Sequence, residues 1–110
     1  MSNIDTNALL AAMLSAARGQ LTTQWAVVQP FAESEMQKLV TTALQIQAGQ
    51  ANSTINSAQA KTLLKMQANA SQAVLTAVET VGMVAAQDAI NAALNVLVSA
   101  VNKAIGVAVL

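Results

Sequence analysis

The side chains able to do chemistry in this chain are few: the carboxylates Asp5, Glu33, Glu35, Glu79 and Asp88, five cations, and no histidine or cysteine. Carboxylates work as a general acid and base only where two of them share a face or are brought together by folding. Glu33 and Glu35 are two residues apart, which on a helix points them in different directions, and Glu79 and Asp88 are nine apart, about half a turn out of phase. Neither spacing makes a local pair. Without histidine the commonest general base and neutral metal ligand are missing; without cysteine, thiolate catalysis, disulfides and Cys-based metal sites are excluded. The glycines form no phosphate-cradling loop and no Gly-x-Ser-x-Gly elbow. The expectation is a protein that is not an enzyme and takes no metal or organic cofactor.

The elements that carry these residues must be helices from a single small domain. At 110 residues the chain is near the lower limit for one comfortable core, and its 55% hydrophobic content is mostly Ala and Val, with Trp25 and Phe31 the only aromatics. Such a core is small-toothed, so close helix approach must replace large anchors. Five cations balance five carboxylates, which argues against the clustered basic footprint of nucleic-acid binding. The first residues, Met1-Ser2-Asn3-Ile4-Asp5, lack the basic region of a secretory signal, so no cleavable signal peptide is expected. A more specific localisation does not follow.

The spacing predicts an all-α fold, either a helical hairpin or a three-helix arrangement, with helices near 5–28, 31–48 and 57–108 and a turn near 49–56. Asp5 or Thr6 can cap the first helix, and Pro30 is expected to end it and open the second, with Glu33 and Glu35 in that helix's first turn. Gly49 is the expected left-handed stop, and Asn56 followed by Gln59 resembles a capping box. A straight helix from residue 57 to residue 105 would be about 70 Å long. Either it breaks near Gly82 so that the chain folds on itself, or the protein is elongated and completes its core with neighbouring copies.

Within that last segment Lys61, Lys65, Asn69, Gln72, Thr76, Thr80, Gln87, Asn91, Asn95, Ser99 and Asn102 form a narrow polar stripe, with Met83 filling one turn. The rest of the circumference is apolar. Ala85, Ala89 and Ala93, then Ala100, Ala104 and Ala108, stand four apart as in close helix contacts, although Ala is also simply the best helix former. The residues expected to form a subunit interface are Ala85, Ala89, Ile90, Ala93 and Leu94, then Leu97, Ala100, Val101, Ala104 and Ile105. Asp88, Asn91, Asn95, Ser99 and Asn102 are expected either in a solvated stripe or around a polar lumen, with solvation favoured for Asp88 because acidic residues are almost never buried unpaired.

Pro30-Phe31-Ala32 with Glu35 and Leu39, the Gly49 turn, Ala89-Ile90-Asn91-Ala92-Ala93-Leu94, Val101-Asn102 and Ala104-Ile105-Gly106 together form a pattern that resembles small uncharacterised Ala-rich helical proteins encoded by bacteria and bacteriophages. The resemblance implies a bacterial or virion setting and carries no functional residue with it. The leading expectation is a structural protein that self-assembles as a homo-oligomer into a ring, tube or filament, such as a phage virion or secreted-particle component, alone or with other structural proteins. Two alternatives stay open: a membrane-active pore-forming or lytic protein, and a monomeric helical module that binds another protein.

Overall fold

The computed structural model describes residues 4–78 and 81–105, and these form an all-α fold of four helices: α1 (Thr6–Gln20), α2 (Trp25–Ala51), α3 (Ser57–Thr76) and α4 (Met83–Ile105). Glu79 and Thr80, the expected helix end near 108, and Gly106 and Ala108 lie outside the described residues.

Each helix packs on the next, and α1 closes the ring by packing most extensively on α4. The grooves between helices give the directions. Ile4 and Asp5 stand beside Lys103 and Ala104, and Gln72 and Lys61 stand beside Gln87 and Val98 respectively, so neighbouring helices run antiparallel in up-down-up-down order. The radius of gyration is 13.7 Å and the extents are 42 × 24 × 18 Å, the longest matching the length of α2. Of the two arrangements open to a long C-terminal segment, the described chain takes the one that folds back.

The fold-back lies between the end of α3 at Thr76 and the start of α4 at Met83. Val78 and Val81 donate backbone N–H groups to Leu75 and Val78 in tight turns, their side chains are buried, and the Gly82 carbonyl accepts the first bond of α4 from Ala86. Valine and threonine favour helices poorly, and glycine more poorly still, so this is the weakest point of the segment.

The first break differs from expectation. It lies at Leu21-Thr22-Thr23-Gln24, and Pro30 sits inside α2 as its sixth residue. A proline there forfeits only one backbone bond, to a carbonyl in the first turn, whereas two successive β-branched residues at Thr22-Thr23 disfavour helix continuation and Leu21 is fully buried as a plug. Glu33 and Glu35 are consequently beyond the first turn of α2, which contains no acidic residue.

The caps follow the sequence closely. The Asp5 carboxylate accepts from Ala8 N–H at 3.1 Å, and Asn56 and Gln59 exchange both bonds of a capping box at 2.8 and 2.9 Å. The end of α2 corrects the expectation for Gly49. Ser53, not Gly49, takes the left-handed conformation, with φ 58°. Thr54 N–H then reaches back to the Gly49 carbonyl at 2.8 Å and Ser53 N–H to that of Gln50 at 3.2 Å, the two bonds of a Schellman motif. Gly49 is a helical residue whose lack of a side chain makes room for Ile55.

Candidate functional site

The residues expected to join subunits are placed inside the chain. Ala89, Ile90, Ala93, Leu97, Val101 and Ala104 are buried in its own core, while Ala85, Leu94, Ala100 and Ile105 pack on it from partly exposed positions. Ile90 and Leu94 lie against Leu64 and Ala68 of α3, and Ala100 and Ala104 against Ala8 and Leu9 of α1. Within the chain, α1 and α3 pack on this side of α4. Asp88, Asn91, Asn95 and Ser99 are exposed and Asn102 is half-buried, so the stripe faces solvent on the outside of the bundle and encloses no lumen within the chain.

Among the described residues the carboxylates are dispersed. Asp5 caps α1, Asp88 is exposed, and Glu33 accepts a bond from Gln29 at 3.1 Å on the α2 surface. Glu35 is buried and meets Lys38 Nζ at 2.9 Å, the lysine itself being half-exposed. No group of three metal-ligating side chains occurs among the described residues.

What remains outside the core is an apolar face shared by α2 and α3. Helix α3 turns Ala60, Leu64, Ala68, Ser71 and Leu75 inward. A second apolar set, Leu63, Met66, Ala70, Val74 and Ala77, stands at three- and four-residue spacing on its outer side. Leu63 is 40% exposed and Met66 63%, and across the α2 seam Phe31 is 48% and Val27 56% exposed. Helix α3 is thus apolar on two sides, and α2 and α4 together cover only the inner one.

Phe31, Val74, Ala77 and Val78 line a hollow at one end of this face. At its edge lie two polar contacts, each within a single helix, Gln67 with Ser71 in α3 and Lys38 with Glu35 in α2. Gln67 donates to Ser71 Oγ at 3.1 Å, and Lys38 and Gln67 border one groove, so the α2–α3 register places buried Glu35 and buried Ser71 at about the same level. Lys38, the cation beside the face, already has a carboxylate partner. Among the described residues, the outer row of α3 with Val27 and Phe31 therefore presents mainly apolar groups, bordered by a polar groove that includes Ser34, Gln37, Lys38 and Gln67. Sequence reasoning missed it by following the polar stripe of the last segment, although Leu63, Ala70 and Ala77 at seven-residue spacing, with Met66 between, were a legible heptad signal.

Fold and site together define the class: a small all-α bundle in four antiparallel helices, with an unpartnered apolar helix face and a dispersed set of ionisable groups. Comparison with protein-family models, with curated proteins and with solved structures returns no match.

Proposed function

We propose that this protein is a non-enzymatic structural subunit that self-associates, with its main contact on the α2/α3 face and not on the buried side of α4. The observation that carries the reading is the exposed row of Phe31, Leu63 and Met66 beside Val74 on a chain whose core is already complete. A solvated face of this kind is stabilised when a second apolar surface covers it, at about 25 cal/mol per Å² removed from water. Met83 and Val84, both largely exposed at the start of α4, provide a further apolar pair. A subunit with two contacts can grow into a ring, tube or filament, as expected of a virion or particle component, whereas one two-fold contact closes at a dimer.

The experiment is mass by light scattering in detergent-free buffer for the parent chain and for Phe31→Asp and Met66→Lys, both at exposed positions. The expected result is a multimeric parent and dissociated variants of unchanged helicity. A parent that is monomeric over the whole accessible concentration range would overturn the reading and favour the module that binds another protein.

One observation favours a membrane-active reading as the second. Helix α4 is long and apolar enough to cross a bilayer by length and composition. Its apolar side is engaged by α1 and α3, and Asp88 and three asparagines occupy its outer side, so insertion would require the bundle to open. Dye release from liposomes, dependent on Met83 and Val84, is the outcome that supports it.

A further inference from the structure

We infer that the α3 face pairs with the same face of a second copy, antiparallel, about a two-fold axis passing beside Ala70. This deepens the proposed self-association and rests on it.

The arrangement follows from where the large and small residues fall. Leu63 and Met66 project at one end of the outer row, Ala70 is its midpoint, and Val74 and Ala77 lie at the other end beside the hollow roofed by Phe31. Positions 63 and 77 are equidistant from 70, as are 66 and 74. A two-fold axis at Ala70 therefore sets each Leu63 against the partner's Ala77 and each Met66 against the partner's Val74. The bulkier residues of one copy land on the smaller ones of the other. Each Leu63 then enters the hollow of about 440 Å³ between Phe31, Val74, Ala77 and Val78. Knob and hollow are about 21 Å apart along α3, so one copy cannot fill its own hollow. A parallel pairing would set Leu63 on Leu63 and leave both hollows empty.

The heptad spacing of Leu63, Ala70 and Ala77 suits the shallow left-handed crossing of antiparallel helices, and alanine at the crossing permits an interaxial distance near 8 Å. Area is also in keeping. With roughly 150–200 Å² for the full surface of a large apolar side chain, the exposed parts of Val27, Phe31, Leu63 and Met66 amount to about 350 Å². The partly exposed Val74 and the alanines of the row bring this toward the apolar share of a standard interface, which takes about 800 Å² from each partner. Among the described residues, Lys38 beside the face is paired with Glu35 within its own chain, so a second copy brings no unmatched charge from it.

The chain has no cysteine, so single introduced thiols report contacts cleanly. Ala70→Cys is expected to form a disulfide-linked dimer on mild oxidation, since Cα atoms facing each other across the axis fall within the roughly 4.4–6.8 Å that a disulfide spans. Leu63→Cys alone is expected not to cross-link to itself, its two copies being about 21 Å apart. An equal mixture of Leu63→Cys and Ala77→Cys chains is expected to give the mixed dimer. Circular dichroism of each variant confirms retention of the helices. A chain that associates by light scattering, yet links through Leu63→Cys with itself or fails to link through Ala70→Cys, overturns the antiparallel pairing and leaves self-association standing. A monomeric parent overturns both.

Discussion

Substituting Gly49 by alanine tests how α2 ends, because the helix bias of the substitution and its steric cost have opposite signs. Alanine is the better helix former by about 1 kcal/mol, and Gly49 is a helical residue, so propensity alone predicts a gain. The added methyl carbon, however, would lie 2.9 Å from Ile55 Cβ, with the outer atoms of that side chain nearer still. Rotating Ile55 about χ1 moves its branches but not its Cβ, so the segment after α2 must shift. That shift strains the bonds by which Thr54 N–H, at 2.8 Å, and Ile55 N–H, at 3.2 Å, close on the Gly49 carbonyl. Forcing a methyl group into such a contact costs about 1–3 kcal/mol, and each weakened bond about 1 kcal/mol more. After the propensity gain, a net loss of about 2–4 kcal/mol remains.

Gly19→Ala is the internal control. It lies in the last turn of α1 with open space around the added carbon, so it should stabilise by about 0.5–1 kcal/mol. The two substitutions, chemically identical, should therefore separate by about 10–40 °C in Tm, at roughly 4–8 °C per kcal/mol. Thermal unfolding by far-ultraviolet circular dichroism, with all proteins at one low concentration so that association contributes equally, makes the comparison. In an Ile55→Gly background Gly49→Ala should become neutral or stabilising. A Gly49→Ala chain as stable as the parent, or a penalty that persists without the Ile55 side chain, would refute the close approach as its cause.

Three other outcomes follow from single contacts. Ser53→Gly should raise stability by about 1 kcal/mol in urea unfolding, since a non-glycine residue there holds the left-handed conformation at φ 58°. Asn56→Ala should lower it by about 1 kcal/mol by removing the capping-box bond to Gln59 N–H, and unchanged stability would mean that the cap contributes nothing. Leu97→Asp should unfold the chain, because a carboxylate at a fully buried core position without a partner costs several kcal/mol, whereas Asn95→Ala, two residues away on the exposed side, should stay within about 0.5 kcal/mol by the same assay.

The parts of the fold legible in the sequence are those that a few adjacent residues decide. Asp5 and the Asn56–Gln59 pair act within one turn through their own backbone, and their roles were readable from residue type and spacing alone. Pro30 misled because its effect depends on how many helical residues precede it, and the stop at Leu21-Thr22-Thr23-Gln24 carries neither Gly nor Pro. Gly49 misled for another reason: a left-handed turn and a close approach both select glycine, and only the position of Ile55 distinguishes them.

The choice of partner for α4 was the least legible feature, for a reason rooted in composition. A face built from alanines and medium aliphatics, such as Ala89, Ala93, Leu97 and Val101, has shallow relief and few polar atoms, so it packs on α1 and α3 as well as it would on a copy of itself. Side-chain pattern then says that the face is buried without saying against what. The turn decides. With Val78 and Val81 drawn into the core and Gly82 opening α4, the chain reverses and supplies its own neighbours at the high local concentration of a short connection. The outer row of α3 has no such turn to bring a helix of the same chain onto it. Its Leu63, Met66 and Val74 are left without a cover from the described chain, and the proposed contact between copies is therefore placed on this helix, which has an apolar side to spare, and not on the most apolar one.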